Sequence, residues 1–179
     1  MQAHQWLKRT AIAAAAALAL AGMTGAAASV DMFLKIDGIV GESTTRGHEK
    51  EIEILSFSWG VFPKTERPNA RTCVQDISFT KFVDIATPLL LTQAVVGTAV
   101  PKAVLTLRKA GSAAPEDFMT LEMTQVMVVS VAEGGSAGQA SLAEQFTLRF
   151  ASMKVSFRTQ NPDGSLGTPI VSTMSGGCF

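Results

Sequence analysis

The chain has 179 residues, balances 15 basic against 15 acidic side chains and is 47% hydrophobic. This suits one domain with a sizeable core and excludes an intrinsically disordered chain. Setting aside Lys8 and Arg9, which stand in an N-terminal leader without acidic residues, the balance is slightly acidic, so the composition offers no footprint for nucleic acid or anionic lipid.

Residues 1–28 read as a secretory signal peptide. Lys8 and Arg9 form its basic region, an apolar run extends from Ala11 to Leu20, and Ala26 and Ala28 stand in the A-x-A spacing of a cleavage site. Cleavage is expected between Ala28 and Ser29, leaving residues 29–179 as a single domain. The apolar run is mostly Ala and falls short of the roughly 20 strongly apolar residues of a membrane span. No later stretch is long enough either, so no stable membrane insertion is expected.

Past the leader the dominant period is two. Val30, Met32, Leu34 and Ile36 alternate with Asp31, Phe33, Lys35 and Asp37, the pattern of a strand with one buried face. Next, Ile52 and Ile54 share one parity while Leu55, Phe57 and Trp59 take the other, so a bulge is expected between them. The same switch separates Met119, Leu121 and Met123 from Val126 and Val128, and Phe146, Leu148 and Phe150 from Met153, Val155 and Phe157. Long strands that each bend suit a curved or closed sheet, and the expected fold is a mainly β barrel. Phe57, Trp59, Phe79, Leu105 and Phe150 are its expected core residues.

The stretch FPKTERPNART at 62–72 has two Pro, three basic residues and no periodic apolar face, and reads as a long exposed loop of the kind that often carries function. One helix is expected, from Leu89 to Val96, with Thr87 as N-cap, Pro88 in the first turn and Gly97 as terminator. It is almost wholly apolar and should pack against the sheet. A strand follows, with Ala103, Leu105 and Leu107 on one side. Turns are marked at 111–115, 134–138 and 161–167.

Chemistry is sparse. Gly134 to Gly138 matches G-x-S-x-G around Ser136, which supports a hydrolase reading. That elbow needs a strand-to-helix turn and a later His, whereas the strand-like EQFTLRF follows and no His lies beyond His48; a Gly-rich hairpin loop is expected instead. Glu49, Glu51 and Glu53 alternate as on a strand and read as a solvated or inter-subunit face. His48 reads as an exposed loop residue, too little alone for a zinc or iron site. No catalytic, metal-binding or cofactor-binding residue is assigned. Cys73 and Cys178 are the only cysteines; an exported chain can oxidise its thiols, but their spacing fixes no pairing.

The segments VDMFLKIDGIVGES from Val30, ILSFSWGV at 54–61, QDISFTKFVDIATPLLL at 75–91, KAVLTLRKAG at 102–111, VMVVSVAEGGS at 126–136 and FTLRFASMKVSFRTQNPDGSLG at 146–167 together resemble the Hcp family. These are the haemolysin-coregulated proteins that form the tube of the type VI secretion system. The resemblance implies a β-barrel of two antiparallel sheets with one short α-helix, and no enzymatic activity or cofactor. It also implies a homo-hexameric ring that stacks into tubes and carries effector proteins through its lumen, alongside other secretion-system components. Pro63, Lys64, Thr65, Glu66, Arg67 and Arg71 match the family's extended loop and are the expected ring-stacking contact.

Two features depart from the family. Members usually carry no signal peptide, so the leader implies a secreted or periplasmic protein. The alternatives are cytoplasmic assembly followed by type VI export, a translation start near Met32, or an exported carrier, chaperone or binding module built on the same fold. The second departure is the C-terminus, TPIVSTMSGGCF, whose small residues lead one to expect a weakened last strand.

Overall fold

The computed structural model describes residues 29–63, 72–109, 116–138, 140–161 and 165–178; residues 1–28 and 64–71, on which the expected leader and most of the expected stacking loop fall, lie outside them. In chain order the strands are β1 (Val30–Ile36), β2 (Ile52–Glu53), β3 (Ser56–Ser58), β4 (Val61–Pro63), β5 (Thr72–Val74), β6 (Ile77–Phe82), β7 (Val100–Lys109), β8 (Asp117–Gly134), β9 (Ala143–Arg149), β10 (Ser152–Phe157), β11 (Ile170–Ser175) and β12 (Gly177–Cys178). One helix among the described residues, α1 (Thr87–Val96), stands between β6 and β7.

The strands form a nine-stranded sheet with the order β2-β1-β7-β8-β9-β6-β3, to which β10 and β11 add beside β8, and a three-stranded sheet β12-β5-β4. All pairings are antiparallel. The two ends of the large sheet meet at one dipeptide. Ile54 N donates to Met32 O of β1 at 2.9 Å, and Leu55 N donates to Thr80 O of β6 at 2.8 Å. This stretch therefore closes β1-β7-β8-β9-β6 into a barrel and removes two exposed edges.

That closure corrects the expected bulge. The parity change between Ile54 and Leu55 is not an extra residue in one strand; the chain leaves β1 for β6 there, and β2 and β3 are separate strands with different partners. Leu55 is in consequence 45% exposed, while Ile52 and Ile54 are buried. The switch in β8 has another cause. Gln125, with φ 49°, is a left-handed residue inside the strand, so Leu121 and Met123 before it and Val126 and Val128 after it all reach the interior. At the same point β8 exchanges partners, from β10 at Thr124 to β9 at Met127. The third switch is the corner Phe150–Ala151 between β9 and β10.

The interior is filled by Leu34, Ile52, Ile77, Phe79, Leu105, Leu121, Phe146 and Leu148, none of them exposed. Phe79 and Phe146 oppose each other across β6 and β9 with ring centroids 5.1 Å apart, a cross-strand aromatic pair of the kind that adds stability beyond its buried area. Phe150 is 3% exposed. Phe57 and Trp59 are half-buried and pack on the margin of this core.

Helix α1 begins one step earlier than the Thr-Pro pair suggests. Ala86 is the N-cap, its carbonyl accepting from Leu90 N at 2.9 Å, and Thr87 is the first helical residue. The Thr87 hydroxyl instead accepts from Asp84 N, and Asp84 Oδ1 accepts from Ala86 N, so these side chains brace the turn before the helix and no side chain caps its first turn. Gly97 ends α1 at φ 67° with its N–H on Gln93 O. Within the helix only Thr87 and Leu90 are buried.

The C-terminus is better ordered than its composition suggests. β11 pairs with β10 over its whole length, from Ile170 with Phe157 to Ser175 with Ser152. Gly176 then lies against the Phe150 carbonyl so closely that a Cβ would collide with it, which makes glycine necessary for the step into β12.

Candidate functional site

Among the exposed large apolar side chains, two groups stand out. The first surrounds α1: Val95 is 88% exposed and Val96 59%, and Leu89 and Leu91 are exposed beside them. Phe82, Val83 and Ile85 precede the helix, and Val83 N donates to Leu142 O, which adds the exposed Leu142 to this region. The second lies on β11, where Ile170 is 69% exposed and Val171 50%. Phe157, opposite Ile170 in the ladder, is exposed as well. Exposed large apolar side chains grouped in this way suit surfaces that a partner covers.

A third feature is the arm of β4 and β5. They pair through Val61 with Val74, Phe62 with Cys73 and Pro63 with Thr72, so residues 64–71 connect two antiparallel strands. Phe62 is 56% exposed, whereas Val74 is buried and anchors β5. Lys64, Thr65, Glu66, Arg67 and Arg71 lie outside the described residues.

Two groups of buried titratable residues are paired internally. His48 is 4% exposed, which corrects the exposed-loop expectation. Its ring stacks on Phe33 with centroids 4.3 Å apart, and its two nitrogens face carboxylates, Nδ1 at 2.8 Å from Glu51 Oε2 and Nε2 at 3.2 Å from Asp117 Oδ1. Arg108 Nε also donates to Asp117 Oδ1 at 2.7 Å, and Arg108 Nη1 to Arg46 O. Burial pushes the Asp117 carboxyl upward, but the hydrogen bonds and charges of Arg108 and His48 outweigh it and hold the group below its ordinary range. Glu49, Glu51 and Glu53 do not share a strand face: β2 starts only at Ile52, Glu51 binds His48, and Glu49 accepts from Gly47 N. The spacing allows the local His48–Glu51 contact, three residues apart, but its closure by Phe33, Arg108 and Asp117 comes only with the fold.

Lys81 and Glu144 form a second internal group. Lys81 Nζ donates to Phe82 O, Asp84 Oδ1 and Thr87 Oγ1 and lies 2.9 Å from Glu144 Oε1. The direction of that last contact is too poor for a hydrogen bond, so the two are held by charge attraction.

Ser136 stands between β8 and β9, two antiparallel strands. The strand-to-helix turn of a hydrolase elbow is therefore absent from its surroundings. Among the described residues no group of three or more His, Cys, Asp or Glu is placed to hold a metal, and no helix is long and apolar enough to cross a membrane.

Comparison with known proteins assigns the chain to a family. Residues 33–157 match the family model described as "Type VI secretion system effector, Hcp". Protein hcp1 of Pseudomonas aeruginosa is 38% identical over 143 residues, covering 76% of this chain and 88% of that protein. Among solved structures, Hcp1 from Salmonella typhimurium is 30% identical with a TM-score of 0.67, over 82% of this chain and 94% of that one. A type VI secretion system effector from Yersinia pestis is 30% identical with a TM-score of 0.69, over 81% and 99%. The matched residues contain most of β1, all of β2 to β10 and α1, and on this match the chain belongs to the Hcp family, structural and non-enzymatic proteins secreted by the type VI system.

Proposed function

We propose that this chain is a tube subunit that closes into a ring of six copies and stacks ring on ring, with effector proteins carried in the lumen. The observation that supports this reading is the pair of separate apolar regions, one around Val95 and Val96 on α1 and one around Ile170 and Val171 on β11. Two different patches on one subunit suit a heterologous, head-to-tail contact, and such a contact repeated around an axis closes a ring. Stacking is assigned to the arm of β4 and β5 through Pro63, Lys64, Thr65, Glu66, Arg67 and Arg71. Light scattering on residues 29–179 tests the ring, and replacing Lys64, Glu66, Arg67 and Arg71 by Ala tests the arm.

We propose separately that residues 1–28 are a cleavable leader and residues 29–179 the mature domain. A start at Met32 would delete Val30 and Asp31, which pair with Lys109 and Arg108 in β7, so the first strand supports a longer chain. A leader that is used places the subunit outside the cytoplasm and favours a second reading, an exported carrier built on the tube fold. The oligomeric state separates the two, because a monomer encloses nothing.

A further inference from the structure

We propose that Cys73 and Cys178 are a modification site: they form an intramolecular disulfide that staples the C-terminal strand to the arm bordering residues 64–71. The chain has two cysteines, and the three-stranded sheet pairs them directly, Cys178 with Cys73 and Gly177 with Val74. Directly opposed residues of an antiparallel pair have Cα atoms about 4.5 or 5.5 Å apart, depending on the type of pair, and a disulfide spans about 4.4–6.8 Å. Either type of pair therefore admits the bond without moving the backbone.

The surroundings fix this register from both sides. Val74 is buried in the core beside Cys73. On the other strand, Gly176 N donates to Ala151 O at 2.8 Å, immediately before β12. A ladder of two residues at the end of a chain is weak by itself, and a covalent bond across it is what converts it into a fixed closure. The linked cysteines enclose a loop of about a hundred residues, the length range in which cross-linking constrains the unfolded chain most.

Formation is ordinary thiol–disulfide exchange with a small disulfide such as oxidised glutathione. One cysteine thiolate attacks the glutathione disulfide; its S–S bond breaks and one glutathione leaves as the thiolate. The second cysteine thiolate attacks the protein sulfur of the mixed disulfide and expels the other glutathione. The protons lost by the two protein thiols end on the two glutathione thiols. The two protein thiols are oxidised and one glutathione disulfide is reduced. A reducing compartment leaves the staple open and an oxidising one closes it, whichever oligomer the chain forms.

The test equilibrates the full chain with oxidised glutathione, alkylates free thiols without reductant, digests at acidic pH and maps the peptides. The expected result is that neither cysteine takes the label, one linked peptide contains both, and the intact chain is lighter by two hydrogen atoms than its reduced form. The oxidised chain should melt about 5–15 °C above the reduced one, with Cys73→Ser and Cys178→Ser both melting like the reduced parent. Full labelling of both cysteines, linkage only between chains or to glutathione, or single variants that melt with the oxidised parent would overturn the proposal.

Discussion

Lys81 of β6 and Glu144 of β9 stand directly opposite each other in the ladder, with Nζ 2.9 Å from Oε1 and almost no exposure of either side chain. A charge pair inside a barrel wall is strongly coupled to its surroundings. The same ammonium group also ties β6 to Asp84 and Thr87 at the start of α1, so it positions the helix that carries the first apolar region.

Lys81→Met leaves the Glu144 carboxylate buried without a counter-charge and should cost about 3–5 kcal/mol. Replacing both residues by Met removes the fully buried carboxylate, leaves only the partly buried Asp84 without its lysine, and should cost less than the single change. Urea unfolding of the parent and both variants checks this. Equal losses in the single and double variants would show that the pair is not coupled.

Asp117 links acidity to stability. Its folded pKa lies below the ordinary 3.8, so the stability contributed by its ionised form is present above the unfolded value and is lost as pH falls through the folded one. The parent should lose stability below about pH 4, and Asp117→Asn should lose less over the same interval because it has no carboxylate to protonate. Unfolding free energies from neutral pH to pH 3 decide the matter, and parallel profiles would remove Asp117 from the linkage.

The expected core residues divide by burial. Phe79→Ala removes a ring with no exposed surface and should cost about 3–5 kcal/mol, whereas half-buried Trp59→Ala should cost about 2 kcal/mol. The melting temperatures should fall in that order. A larger loss for Trp59→Ala would mean that its ring carries more of the core than its position on the margin suggests.

The leader gives a prediction of mass. The exported chain should begin at Ser29, following the A-x-A spacing of Ala26 and Ala28. Intact-mass spectrometry of separated cell fractions checks it, and an exported chain that retains Met1 or begins at Met32 would contradict it.

Periodicity made much of the barrel legible. The parity switches near residues 54, 125 and 150 each mark a real change of direction, and the Thr-Pro to Gly97 punctuation placed α1 within two residues. The cause of each switch was hidden, because a left-handed Gln125 and a partner exchange at Ile54–Leu55 leave the same alternation as a bulge. His48 was misjudged for a related reason: its Gly and Glu neighbours are polar, and its burial comes from Phe33 and Asp117, distant in the chain. The register of Cys73 with Cys178 was equally invisible, since nothing local brings β12 to β5.

The ring is tested by light scattering across the micromolar range on residues 29–179, beside Val95→Asp and Ile170→Asp variants. The parent should scatter as six subunits or stacks of six. Each Asp variant should fall to a folded monomer, because a charge at either patch breaks the same repeated contact. The variant with Lys64, Glu66, Arg67 and Arg71 replaced by Ala should keep the ring and lose the stacks. A parent that stays monomeric throughout would rule out the ring, and Asp variants that still form it would remove these two patches from the contact.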